Sequence, residues 1–205
     1  MNRIYFSLVV MTLCAIVSVP VSKASVNDAP SPSGIRFDNL TPKFGDREAW
    51  RNVLHWSTEC ETGFQKQADY PSRDWSGLTL HPVGDSEYIV FVHCWLGPYW
   101  TLSELFFVKV RDEKRLTAKR LQLTEIVQEE NGKFREQTVA TISGSFPAFN
   151  RETKRLINLK KFRGPGDCGY YYEYIFKNDE FTLAEARLQE CSSKIAPIEE
   201  WKRIH

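Results

Sequence analysis

Cys168 is the residue whose neighbours come closest to reactive chemistry. It stands in Arg163-Gly164-Pro165-Gly166-Asp167-Cys168-Gly169. A glycine-rich turn of this kind can aim backbone N–H groups at an oxyanion while presenting a thiolate. A histidine must then activate the sulfur. His55 lies upstream with Asp85 between them, so a cysteine hydrolase using Cys168 with His55 is one reading. Three features count against it. Tyr170 stands where a second glycine is wanted, and His55 falls on an expected helix. Cys191 lies downstream as a disulfide partner, and a disulfide sulfur is no nucleophile. The chain therefore leans away from being an enzyme, and no catalytic residue is assigned.

The same turn has two other uses. Gly164, Gly166 and Gly169 could let successive N–H groups converge on an anion, with Arg163 adding a fork of donors. The plainer expectation is a tight turn that needs positive φ and is pinned by a disulfide. Asp167 has no acidic neighbours with which to ligate calcium, so it is expected to cap its own turn. A second cluster is Trp95, Tyr99 and Trp100 around Gly97-Pro98. Such aromatics can stack on sugar rings or anchor a partner, or they can cover the mouth of a β core. Two basic runs, Arg111–Lys114–Arg115–Lys119–Arg120 and Lys154–Arg155–Lys160–Lys161–Arg163, could meet an anionic envelope polymer if they share a face. Interleaved Asp112, Glu113 and Glu152 make solvated turns the simpler reading. The candidate binding residues are thus Trp95, Tyr99, Trp100, Arg163, Gly164, Gly166, Asp167 and Gly169. No cofactor or metal is expected.

Compartment follows from the amino end and the cysteines. Arg3 precedes an almost wholly apolar run over residues 4–21, and Ser22-Lys23-Ala24 offers a cleavage site after Ala24. Residues 1–24 are expected to be a signal peptide that sends the chain to the periplasm or outside the cell. The alternative is a retained anchor, which would make the signal segment the sole membrane contact; Pro20 breaks the end of that run. Cys14 would leave with the signal. Residues 25–34 form a polar Pro/Ser tether. Residues 35–205 are of a length that suits one domain. The chain is 42% hydrophobic and 13% aromatic, enough for a real core. Its net charge of +1 gives no general attraction to nucleic acid.

Cys60, Cys94, Cys168 and Cys191 remain after cleavage and allow three pairings. Cys60–Cys94 and Cys168–Cys191 are favoured because each lies within one half of the chain. No Cys-x-x-Cys spacing supports zinc.

The elements that must hold these residues read as follows. Asp46 is expected to cap one short helix bearing Trp50, Val53 and Leu54 and ending near Cys60. Strands are expected over 78–80, 88–95, 100–110, 121–127, 138–142, 156–159, 170–176 and 181–188. Residues 109–120 read as a charged, solvated connection. Asn131-Gly132 and Asn178-Asp179 mark hairpins, and Trp201 closes a docked tail. Alternating strand and turn predicts a mainly β fold: an antiparallel meander forming a closed or nearly closed barrel or sandwich, with one helix near the amino end and disulfide staples.

Cys94-Trp95-Leu96-Gly97-Pro98-Tyr99-Trp100, the Gly166-Asp167-Cys168-Gly169 turn, the aromatic hairpin from Tyr174 to Leu183, Cys191 and Trp201 follow one another in a distinctive order. This order resembles the bacterial exported family designated domain of unknown function 1176. Leu96 and Pro98 stand where that family often has arginine and alanine. The resemblance implies an exported β-rich domain and carries no established activity. The chain is expected to bind a protein or envelope component without catalysis, or to serve a purely structural role in the envelope.

Overall fold

The computed structural model describes residues 27–30, 46–67, 75–112, 115–145, 147–191 and 196–205. The expected signal peptide lies outside these residues, as does most of the expected tether.

Instead of one early helix there are two, α1 (Arg47–Leu54) and α2 (Thr58–Gln65). His55 makes the break. It takes a left-handed conformation, φ 51° and ψ 46°, and its N–H donates to the Arg51 carbonyl. Ser57 starts the chain again, its hydroxyl accepting from the Cys60 N–H at 3.0 Å. Asp46, the expected cap, makes no side-chain cap bond. The break has a packing reason: it lets Trp50, Val53 and Leu54 from α1, and Trp56 and Cys60 beyond it, bury into the same cluster.

Thirteen strands are described: β1 (Asn27–Pro30), β2 (Leu78–Gly84), β3 (Glu87–Leu96), β4 (Thr101–Asp112), β5 (Arg115–Arg120), β6 (Leu123–Gln128), β7 (Phe134–Val139), β8 (Thr141–Gly144), β9 (Ala148–Asn150), β10 (Arg155–Lys161), β11 (Gly169–Lys177), β12 (Glu180–Gln189) and β13 (Lys202–Arg203). Every pairing is antiparallel. The first sheet runs β1-β5-β4-β3-β2, the second β13-β12-β11-β10-β9, and β6-β7 is a separate hairpin. The mainly β, antiparallel expectation holds, but of the expected barrel or sandwich no closed barrel is found among the described residues: none of these sheets closes on itself.

The reason is visible in β3 and β4. Ile89, Phe91, Leu105 and Phe107 face the second sheet, where they meet Leu156, Tyr172, Tyr174, Phe176 and Phe181. Val90, Val92, Phe106 and Val108 face the helices, with Trp50, Trp56 and Cys60. A sheet covered on both faces reads as a continuous apolar run, as residues 88–95 do.

Two expectations along this sheet need correcting. The charged stretch 109–120 is not a solvated connection: it ends β4 and forms β5, whose Leu116 and Ala118 are buried against the helical layer. The expected strand 138–142 is two strands. β7 pairs with β6, whereas β8 pairs with β4 through Thr101–Glu104. β5 occupies the same edge of β4 further along, through Phe106–Asp112. β5 and β8 therefore continue one line, and the β6-β7 hairpin is an excursion from it.

Cys60–Cys94 ties α2 to β3, and Cys168–Cys191 ties the start of β11 to the chain just past β12. These are the pairings favoured from the sequence. Asn178 and Asp179 close the β11–β12 hairpin with φ of 53° and 62°. Trp201 is buried where β13 pairs with β12. Part of the expected tether, β1, pairs with β5.

Candidate functional site

The loop between β3 and β4 turns tightly because the Gly97 N–H donates to the Trp100 carbonyl at 2.8 Å. This throws three rings outward. Trp95 and Trp100 stack with centroids 6.3 Å apart and planes 22° from parallel. Tyr99 is 61% exposed and Trp100 46%. The Ser145 hydroxyl donates to the Tyr99 carbonyl at 2.6 Å, fixing the loop to the end of β8.

The β10–β11 turn approaches from the second sheet. It is closed on itself: the Gly166 N–H donates to the Arg163 carbonyl, and the Phe162 N–H to the Cys168 carbonyl. Gly166 has φ of 73°. A Cβ there would lie 2.7 Å from Cε of Lys161, so the lysine stem crosses bare backbone. Arg163 grips Asp167 with two bonds, one of them Nε to Oδ1 at 2.8 Å. That guanidinium, by hydrogen bond and charge, holds the Asp167 carboxyl below its usual range. Gly169 begins β11 opposite Lys161. Asp167 thus braces the turn through Arg163, and the Gly166 N–H is spent inside the turn.

Between the two loops lies an open cleft of about 430 Å³. Tyr99 and Trp100 form one side, Phe162, Arg163 and Gly164 the other, with Ser143 and Gly144 of β8 and Lys160 and Lys161 of β10 completing it. Its volume falls among small-ligand sites, roughly 300–1,000 Å³. β8 is the joint that makes it: the Ser145 N–H donates to the Leu159 carbonyl at 2.7 Å, and Asn158 Nδ2 to the Ser143 carbonyl at 3.1 Å. The structure therefore brings Tyr99, Trp100, Arg163 and Gly164 to one cleft, with Trp95 stacked beside it. Gly166 and Asp167 shape the turn behind the wall. Phe162, 50% exposed, has no counterpart among the sequence candidates. Its signal was a lone aromatic in the run Lys160-Lys161-Phe162-Arg163.

Other chemistry-bearing groups are differently placed. Cys168 is wholly buried and bonded to Cys191, so it carries no thiolate. His55 serves as the left-handed cap of α1. The Ser103 hydroxyl lies 2.9 Å from Nδ1 of His93, a serine–histidine contact that a search for nucleophiles would raise. Ser103 is wholly buried, however, and burial first, then the charges of Arg47 and His81, lower the His93 pKa to about 4. A base so weak, beside an inaccessible hydroxyl, packs rather than reacts. Cys60, Cys94 and Glu104 lie close enough to suggest a metal set. Both sulfurs are consumed by the disulfide, and Glu104 is held by Arg120 at 2.5 Å and by the Ser57 N–H.

Comparison with known proteins adds one finding. Neither the curated proteins nor the solved structures returned a match. The family model described as "Protein of unknown function (DUF1176)" matches residues 21–204, most of the chain, and this chain belongs to that family.

Proposed function

We propose that this chain is an exported, non-catalytic binding module that holds a cell-envelope component in the cleft between the β3–β4 loop and the β10–β11 turn. One observation carries the reading. Of the five exposed large hydrophobic side chains among the described residues, Trp95, Tyr99, Trp100 and Phe162 gather at this cleft, leaving Ile157 alone elsewhere. Exposed apolar area of this kind, rimmed by polar groups, marks interaction surfaces. The placement outside the cytosol is supported by the two disulfides, which persist where thiols oxidise, and by the apolar residues 4–21. No helix among the described residues is long and apolar enough to cross a membrane.

The test is a double variant, Trp95→Ala with Trp100→Ala. Binding to immobilised envelope polysaccharide is expected to fall at least tenfold while the melting temperature hardly moves. Large unfolding would instead identify these rings as core, and unchanged binding would remove the cleft from consideration.

A further inference from the structure

Resting on that cleft as a binding site, we infer that its occupant is an acidic saccharide and that Lys161 is the cation that reads its anionic group. The cations around the cleft differ in availability. Lys160 pairs with Glu125 at 3.1 Å, and Arg163 is committed to Asp167. No carboxylate among the described residues pairs with Lys161. Its stem lies across the bare backbone of Gly166, a position that any side chain at 166 would contest. No acidic side chain lines the cleft. An uncompensated ammonium at a rim without carboxylates selects a negative ligand.

The rest of the lining argues for a sugar rather than an extended peptide. A peptide commonly adds itself to a free sheet edge through backbone bonds. Here the nearby edges are already taken. Gly144 pairs with Thr101, the Ser145 N–H with Leu159, and Lys161 with Gly169. What remains on offer is ring faces, from Tyr99, Trp100 and Phe162, and one ammonium. Flat apolar faces beside a charge match a pyranose ring bearing a carboxylate or phosphate.

The experiment follows tryptophan fluorescence of the full chain titrated with four probe sets. These are uronate, sialate and phosphorylated oligosaccharides, a neutral oligosaccharide of equal length, and hexaglutamate. Each is repeated on Lys161→Met, with thermal melting as the control for folding. At least one acidic sugar is expected to bind ten or more times tighter than the neutral one. Lys161→Met is expected to erase that difference without lowering the melting temperature, and added salt to reduce it. Equal binding of neutral and acidic sugars, unaffected by Lys161→Met, would overturn the charge assignment and leave the cleft reading intact. Binding of hexaglutamate in preference to every sugar would overturn the saccharide. If no acidic sugar binds, the inference fails; the Trp95→Ala, Trp100→Ala experiment on envelope polysaccharide then decides separately whether the cleft reading fails with it.

Discussion

His93 Nε2 lies 3.3 Å from the Thr79 hydroxyl, complementing the Ser103 contact at Nδ1, and its ring packs 5.2 Å from Trp75. Folding holds this imidazole neutral: its pKa falls from 6.5 to about 4. Because the native state resists the proton, the unfolded chain binds it first as pH drops. The resulting stability is full above about pH 6.5 and is lost as pH falls towards 4. At 1.36 kcal/mol per pH unit the loss is about 3 kcal/mol. Urea unfolding at pH 7 and pH 4 checks this: His93→Gln is expected to be less stable at pH 7 but to lose less on acidification. An equal loss in both proteins would place the acid sensitivity elsewhere. Arg47 presents the opposite case, a charge kept buried by company. Its Nε donates to the Glu61 carboxylate at 3.0 Å and its Nη1 to the Ser76 carbonyl at 2.6 Å, with the guanidinium 3.6 Å from the Phe64 ring centroid. Trp56 Nε1 also donates to Glu61, at 2.8 Å. Burial raises the Glu61 pKa, but the bonds from Arg47, Trp56 and Gln65 outweigh it and hold the carboxylate low. Arg47→Met leaves that carboxylate buried without its partner and is expected to cost about 3–5 kcal/mol by urea unfolding.

Among the elements, β8 is the most sensitive to a single atom. A Cβ on Gly144 would fall 1.8 Å from Asn158 Oδ1 and 3.0 Å from the Leu159 carbonyl. Asn158 is wholly buried, so it has nowhere to retreat. Gly144→Ala is expected to pry β8 from β10, costing about 1–3 kcal/mol; a variant as stable as the parent would show that the seam tolerates widening. The staples are expected to matter more. Removing either pair, Cys60→Ser with Cys94→Ser or Cys168→Ser with Cys191→Ser, is expected to lower stability by about 3–4 kcal/mol for loops spanning 34 and 23 residues. Legibility in the sequence followed how local each cause was. Asn178-Asp179 announced its hairpin because both positions must take positive φ. β5 was hidden because Lys119 and Arg120 masked the alternation of Leu116 and Ala118, and their charges are answered at a distance, by Glu180 and Glu104. The helix break at His55 was unreadable because sheet packing imposes it. At the cleft, Tyr99, Trp100 and Arg163, with Trp95 beside them, stood out in sequence as aromatics and an arginine on glycine-proline turns, whereas Ser143 and Gly144 joined them only through the β8–β10 seam.

The whole molecule is organised around the β1-β5-β4-β3-β2 sheet, which shares each face with a different layer. Strand alternation could suggest a barrel but could not say which strands lie back to back. That depends on β4 receiving both β5 and β8 on one edge, a pairing separated by the whole β6-β7 hairpin. Tyr170 and Tyr172 bind this hairpin into the core: their rings stack at 5.7 Å, with Tyr174 next in the row at 6.1 Å, the Tyr172 hydroxyl donates to the Ile126 carbonyl, and the Gln128 N–H donates to the Tyr170 hydroxyl. A sheet shared in this way couples its two faces, so calorimetry is expected to give one unfolding transition. Two would mean that the helical and aromatic faces melt apart.

Cys60 joins Cys94 and Cys168 joins Cys191, so neither covalent ring encloses or crosses the other. Among these four cysteines each pairs with its immediate neighbour in the sequence. Joining these four in their order of appearance gives this connectivity with no ring nested inside another.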